Sequence, residues 1–186
     1  MIAATKTDET LPVKSGLIDA ATLFRAHGAF VARFLTRLGV RQDEIDDLVQ
    51  DVFLIVHRRG GFEPRTAKAT TYLAQIALHT ATDRRRLEQR RRTEPNSEGL
   101  ASVLDPAPGP EERAVFAEDI ERAQRAIELI PPERRALFIL FELEDEPCPA
   151  LAEAFDLPLG TVHSRIRVAR NEFLENYERL GKERSP

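Results

Sequence analysis

Apolar residues recur along the chain at helical spacing, and no stretch shows the strict alternation that a half-buried strand would need. A first helix is predicted from Asp19 to about Leu38. Leu23, Phe24, Phe30, Val31, Phe34, Leu35 and Leu38 make its apolar stripe, and Gly39 supplies the stop. A second begins near Asp43, where Asp43, Glu44, Asp46 and Asp47 favour the positive end of a helix dipole. Its inner face is Ile45, Leu48, Val49, Val52, Phe53 and Val56. The glycines and proline of RRGGFEPR (58–65) break the pattern as a turn. A third helix is predicted from about Thr66 through the arginines of DRRRLEQRRR, with Leu73, Ile76, Ala77, Thr80 and Leu87 inward. At about 100° per residue, Tyr72, His79, Asp83, Arg86 and Arg90 line up as a second, aromatic and basic stripe.

The periodicity then stops. TEPNSEGLASVLDPAPGPEE (93–112) holds four prolines, two glycines and no basic residue, and is long for a loop inside one compact domain. Beyond it, Glu111 to about Ile130 is amphipathic through Val115, Phe116, Ile120, Ala123, Ile127 and Ile130. PPERRALFILFELE (131–144) opens on prolines, which a helix start tolerates, and offers Leu137, Phe138, Leu140 and Phe141 for burial. A short helix over about Ala150–Phe155 precedes DLPLG and then TVHSRIRVARNEFLENYERL. The expected fold is all-α, two small helical domains joined by a flexible linker, the C-terminal one a helix-turn-helix. The expected boundaries are a flexible N-terminus at 1–18, a first domain at 19–92, a linker at 93–112, a second domain at 113–180 and a tail at 181–186.

Composition fits that organisation. The chain has 186 residues and a hydrophobic fraction of 42%, enough for real though modest cores. Its one cysteine, Cys148, excludes an internal disulfide framework and suits a reducing cytoplasm. No apolar run approaches a membrane span, and MIAATKTDETLPVKSG lacks the apolar core and cleavage site of a signal peptide, so the expected location is cytoplasmic. Four scattered histidines give no metal-ligand spacing, and neither a metal nor another cofactor is expected.

Charge changes the picture more than the formal net of −4 indicates. Residues 65–92 hold eight Lys or Arg and two acids, and residues 93–157 hold five Arg and sixteen acids. Residues 158–170 carry Arg165, Arg167 and Arg170 and no acid. Two basic segments flank an acidic middle, and a polyanion responds to such local potential rather than to the total.

The last two helices, joined by about four residues, have helix-turn-helix proportions. Leu151, Ala152 and Phe155 face inward, Leu157 and Leu159 plug the turn, and Val162, Ile166, Ala169 and Phe173 make the second helix's inner stripe. The opposite side presents Thr161, His163, Ser164, Arg167 and Arg170, with Arg165 toward one edge. Such side chains suit phosphates and base edges in a major groove. An ordinary αα-hairpin with a solvated basic face has the same pattern, so the motif alone does not name a function.

DDLVQDVFLIVHR (46–58), TTYLAQIALHTATDRRR (70–86) and LPLGTVHSRIRVAR (157–170) resemble segments of bacterial ECF (extracytoplasmic-function) sigma factors, the compact specificity subunits of RNA polymerase. The resemblance covers about residues 19–180, in order and at matching spacing. It implies that the first domain binds core RNA polymerase and the melted non-template strand of the −10 element, and that the second binds the double-stranded −35 element. Asp47, Gln50, Asp51, Leu54 and His57 would form the polymerase-binding face. Phe62, His79, Asp83, Arg86 and Arg90 would contact −10 DNA, and Thr161, His163, Ser164, Arg165, Arg167 and Arg170 the −35 element. Single-strand capture needs stacking surfaces and a positive groove. Phe62 and Tyr72 are the aromatic candidates, with core packing as the alternative for both. The resemblance also implies an anti-sigma factor as regulatory partner.

The departures from that pattern are local. Tyr72 replaces a usual tryptophan and His79 a usual asparagine, which puts base preference at the −10 element in doubt. EDEPCPALAEAF (144–155) has prolines where the family has a serine cap and a glutamate pair. Pro158 replaces a capping serine, and Asp156 a turn glycine whose left-handed conformation Asp tolerates. His163 replaces a common lysine, which weakens that contact near neutral pH. Two other readings compete: a DNA-binding regulator or anti-terminator that works without polymerase, and a hydrolase using the carboxylates of DEIDDLVQD (43–51) to hold a metal. The latter lacks a companion histidine, a phosphate loop and a nucleophile–base pair, so no enzymatic activity is expected.

Overall fold

The computed structural model of the chain describes residues 16–64, 67–91 and 110–182. Among these, seven α-helices account for almost all regular structure: α1 (Ala20–Arg37), α2 (Ile45–Arg58), α3 (Ala69–Arg91), α4 (Pro110–Glu128), α5 (Pro132–Glu142), α6 (Cys148–Ala154) and α7 (Leu159–Lys182). The expected linker falls mostly outside the described residues, as do nearly all of the expected N-terminal segment and the last four residues of the tail.

The first unit is α1, α2 and α3 packed against one another. Asp19 starts α1 as its N-cap, with Oδ1 accepting the Thr22 N–H at 2.8 Å. Leu23, Phe30, Val31, Phe34 and Leu35 of α1 are buried against Ile45, Leu48, Val49, Val52, Phe53 and Val56 of α2 and Leu73, Ile76 and Ala77 of α3. Phe24, expected in the stripe, lies beside it, half exposed and edge-on to Phe53 with ring centroids 5.1 Å apart. Leu87, expected inward, is exposed at the edge of the groove between α2 and α3. The acidic start of α2 is a single 3-10 turn, Gln42–Glu44, before the helix proper. The start of α3 lies at Ala69 rather than near Thr66, its first turn closing from the Tyr72 N–H to the Lys68 carbonyl at 3.2 Å.

Ile18, expected in the flexible end, is pinned. Its N–H donates to the Phe62 carbonyl at 2.7 Å and its carbonyl accepts the Phe62 N–H at 2.9 Å. Gly61 makes room for this pairing: at φ 113° it adopts a conformation that L side chains avoid, and a Cβ there would meet the Ile18 oxygen at 2.5 Å.

The second unit comprises α4–α7, with α7 packed on α4, α5 and α6. Prolines open three of its helices in the sequence positions where a missing N–H is no loss. Hence α4 begins at Pro110, reclaiming three residues read as linker, and α6 begins at Cys148, two residues before the expected start. The Pro147 carbonyl accepts from Ala150 and Leu151 at 2.9 and 3.1 Å, so the first turn of α6 forms without a side-chain cap. Val162, Ile166 and Ala169 of α7 are buried as expected, and Phe173 packs on Phe138 with centroids 5.5 Å apart. Leu157 is half-buried at the turn, whereas Leu159 is 45% exposed and plugs it less fully than expected. Asp156 has φ 50°, the left-handed conformation that the missing glycine would have taken.

The two units pack together. α3 touches α5 and α6, and the end of α1 meets α4. One apolar cluster runs from Leu23 and Leu73 through Leu78 to Leu137, Ile139, Leu140, Leu151 and Ile166. The buried Arg135 ties the seam, donating to the Leu38 carbonyl at the end of α1, to the Glu128 carbonyl that ends α4 and to the Ile130 carbonyl just after it. Burial lowers this guanidinium's pKa to about 10, so it still carries its charge near neutral pH, satisfied by three carbonyl dipoles. Gly39, at φ 78°, both ends α1 and leaves space, since a Cβ there would lie 3.0 Å from Arg135 Nη1.

The turn before α7 carries a direct test. Asp156→Gly is expected to leave stability equal or slightly higher, while Asp156→Val is expected to lower it by about 1–2 kcal/mol, read from urea denaturation midpoints.

Candidate nucleic-acid interface

Three exposed polar faces stand on this scaffold. The first is on α2, where Asp47, Gln50, Asp51, Leu54 and His57 occupy the side opposite the buried Leu48, Val49, Val52 and Val56. Leu54 is 49% exposed, an apolar side chain surrounded by carboxylates and an amide. Asp51 is half-buried and accepts from Arg84 Nη2 of α3 at 3.3 Å. The acidic first face is thereby connected to the basic helix beside it.

The second face lies on α3. His79, Asp83 and Arg86 are exposed on one stripe, with Asp83 and Arg86 paired at 3.9 Å. Arg90 belongs to the helix, but its side chain lies outside the described residues. Tyr72 and Phe62 do not join the stripe. Phe62 is only 8% exposed and stacks on the half-buried Tyr72 with centroids 5.1 Å apart at 30°. The core-packing alternative therefore describes both rings, and Phe62 is no open platform for a base in this arrangement. Its burial follows from the main-chain pairing with Ile18, which clamps the loop over the start of α3.

Between α2 and α3 runs a groove of about 450 Å³, lined among others by Arg59, Gln75, His79, Asp83 and Arg84. Sequence reasoning passed over Arg59, Gln75 and Arg84 as site residues. Gln75 was readable, since it stands four residues before His79 on the same helical stripe. Arg59 and Arg84 were not, because their place depends on how α2 and α3 are juxtaposed.

The third face is on α7. His163, Ser164 and Arg167 are exposed, while Thr161 and Arg165 are half-buried. The Ser164 hydroxyl donates to the Thr161 carbonyl at 2.9 Å, and the Pro158 carbonyl takes the Thr161 and Val162 N–H groups at 2.8 and 3.1 Å. Backbone bonds thus complete the start of α7 where no serine is present. Arg170, at the far end of the face, is engaged internally: its Nε donates to Glu142 and its guanidinium lies 5.2 Å from the Phe141 ring centre. That charge is already balanced within the domain, which leaves Arg167 the more available cation. Among the described residues, no three His, Cys, Asp or Glu side chains are grouped so as to hold a metal ion, and no helix is long and apolar enough to cross a membrane.

Comparison with known proteins matches two family models in chain order: Sigma-70 region 2 over residues 23–91 and Sigma-70 region 4 over residues 120–172. The first match ends where α3 ends. The ECF RNA polymerase sigma factor RpoE of Cereibacter sphaeroides is 30% identical over 150 residues, covering 80% of this chain and 81% of the relative. SigE of Mycolicibacterium smegmatis, also an ECF RNA polymerase sigma factor, is 30% identical over 151 residues, covering 81% of this chain and 58% of the relative. Among solved structures, the sigma factor RpoE in complex with the anti-sigma factor NepR from Bartonella quintana aligns with TM-score 0.68 at 17% identity, over 85% of this chain and 96% of that one. CnrH in complex with the cytosolic domain of CnrY aligns with TM-score 0.58 at 20% identity, over 89% of each chain. At these identities the two structures speak for the fold.

The buried stack sets an expectation for stability. Phe62→Ala should destabilise the chain by about 3–5 kcal/mol through cavity formation, and Phe62→Leu by much less, as measured by urea denaturation.

Proposed function

This chain belongs to the ECF RNA polymerase sigma factors, and on that premise we propose how its surfaces share the work of initiation. As a sigma factor it binds core RNA polymerase and directs transcription from particular promoters. In the proposed division, residues 19–92 bind the polymerase and the −10 element, residues 93–112 connect, and residues 113–180 bind the −35 element. The observation that carries the reading is the α2 face. An exposed leucine ringed by Asp47, Gln50, Asp51 and His57 suits a basic, partly apolar partner helix, and none of the described residues covers it.

The −10 contacts are assigned to His79, Asp83, Arg86 and Arg90, with Arg59, Gln75 and Arg84 added from the adjoining groove. A groove with both amide and guanidinium groups suits a backbone-held single strand and one unstacked base. The −35 contacts are assigned to Thr161, His163, Ser164, Arg165 and Arg167, with Arg170 reaching DNA only after leaving Glu142. The chain carries out no covalent step of its own in this reading, since bond making belongs to the polymerase. It works in the cytoplasm with the polymerase. Control by an anti-sigma factor is part of the proposal, supported by a sigma factor of the same fold having been solved with the anti-sigma factor NepR.

Two measurements test the division. Reversing the charges of Asp47 and Asp51 to lysine should weaken binding to core polymerase by about tenfold or more, with helicity by circular dichroism unchanged. Core binding equal to wild type would remove the α2 face from the account. For the −35 face, Arg167→Ala should flatten the dependence of log K on log salt by about 0.9. Arg170→Ala should flatten it less, because Glu142 already neutralises that charge.

A further inference from the structure

Ile18, in front of α1, stands on a fixed base. Asp19 caps the helix directly after it, its Oδ1 taking the Thr22 N–H and its Oδ2 the Thr22 hydroxyl at 3.1 Å. From there Ile18 reaches the turn that follows α2, where it bonds both main-chain groups of Phe62, at 2.7 and 2.9 Å. The turn has little stiffness of its own. Gly60 and Gly61 sit at φ 87° and 113°, and glycine has the greatest conformational freedom of any residue. The Gly60 N–H to the His57 carbonyl and the Gly61 N–H to the Val56 carbonyl, both at 3.0 Å, close the end of α2 and hold nothing beyond it. The place of Phe62 is therefore set from outside the turn. Leu17 packs over the same glycines: its Cδ2 would lie 3.7 Å from a Cβ at Gly60 and 3.3 Å from one at Gly61.

The consequence reaches α3. The Phe62 ring stacks on Tyr72, in the first turn of α3, with centroids 5.1 Å apart. One and two turns later on the same side stand Gln75 and His79, which line the groove between α2 and α3. We propose, resting on the −10 reading of α3 above, that Ile18 is a positioning residue for capture of the −10 strand. Its backbone bridge holds Phe62, Phe62 holds Tyr72, and the start of the groove-lining side of α3 is fixed before DNA arrives. Phe62 then serves from behind, as the link between bridge and helix, rather than as a platform for a base. A groove ordered in advance takes up a strand without first losing its own freedom, whereas one that orders on binding loses affinity by that cost.

The bridge uses main-chain groups, and this separates it from packing. The Ile18 side chain is half-buried against the core, so Ile18→Ala removes apolar contact and leaves both hydrogen bonds. Ile18→Pro removes the N–H that donates to the Phe62 carbonyl. Gly61→Ala attacks the same bridge from the other side, since its Cβ would meet the Ile18 oxygen at 2.5 Å.

The test uses the full-length chain with core polymerase, on a template that wild type selects from a library of varied −35 and −10 elements. 2-Aminopurine in the non-template strand of the −10 element reports its unstacking. Ile18→Pro and Gly61→Ala should each slow opening by about 5–10-fold, while affinity for core and for a duplex carrying only the −35 element stays within about twofold of wild type. Ile18→Ala should open at the wild-type rate even where urea denaturation shows it to be less stable. Circular dichroism checks the fold of each variant, and Gly61→Ala decides alone if Ile18→Pro does not fold. Wild-type opening by the bridge variants would overturn the positioning role. So would Ile18→Ala failing as badly as Ile18→Pro, or core affinity falling in step with opening. His79→Ala and Arg86→Ala, measured alongside, separate the two levels. If they slow opening and the bridge variants do not, only the role of Ile18 falls; if they too leave opening unchanged, the −10 assignment of α3 falls and the role of Ile18 with it.

Discussion

α3 has to satisfy three neighbours at once, and the rest of the molecule is arranged around that requirement. One side, with Leu73, Ile76 and Ala77, completes the three-helix core against α1 and α2. A second, with Leu78 and Ala81, faces Pro132 and Arg135 of α5 across a small cavity. The third carries His79, Asp83 and Arg86 into solvent. A helix used this way cannot be cleanly amphipathic. Small side chains such as Ala74, Ala77 and Ala81 let two helices approach it without widening the helix beyond what the third face tolerates.

That division explains how a chain of formal net charge −4 can serve as a DNA-binding factor. Several of the acids are engaged in contacts within the molecule. Glu144 and Glu146 join the units, Glu142 holds Arg170, and Glu172 binds Arg134 through two oxygens. The arginines left exposed on α3 and α7 then set the local potential on the faces that look outward. Among the described residues the α2 face leaves Asp47 unmatched, while Asp51 pairs with Arg84 and so connects α2 to the basic helix beside it.

Much of this was legible in the chain. Helical periodicity located all seven helices, because each has apolar residues at helical spacing, reinforced in α4, α5 and α6 by prolines near the start. Asp156 was read correctly as a left-handed turn residue, since few side chains tolerate that conformation. The misses share a physical origin. Leu87 fits the inward wheel of α3 as well as Leu73 does, but periodicity cannot say where the neighbouring helices stop covering it. Phe62 looked like a loop aromatic because its burial depends on a main-chain bridge to Ile18, 44 positions away in sequence. Arg135 and Glu146 read as ordinary members of charged runs. Their burial exists only through packing between the units, which no local pattern encodes.

The central claim is that this chain confers promoter recognition on RNA polymerase through two separate DNA-binding faces. Run-off transcription with purified core polymerase, over a template library in which the −35 and −10 elements vary independently, tests it most directly. The account predicts a transcript that requires both elements and is absent without the chain. Failure of every template to give a promoter-dependent transcript would contradict it.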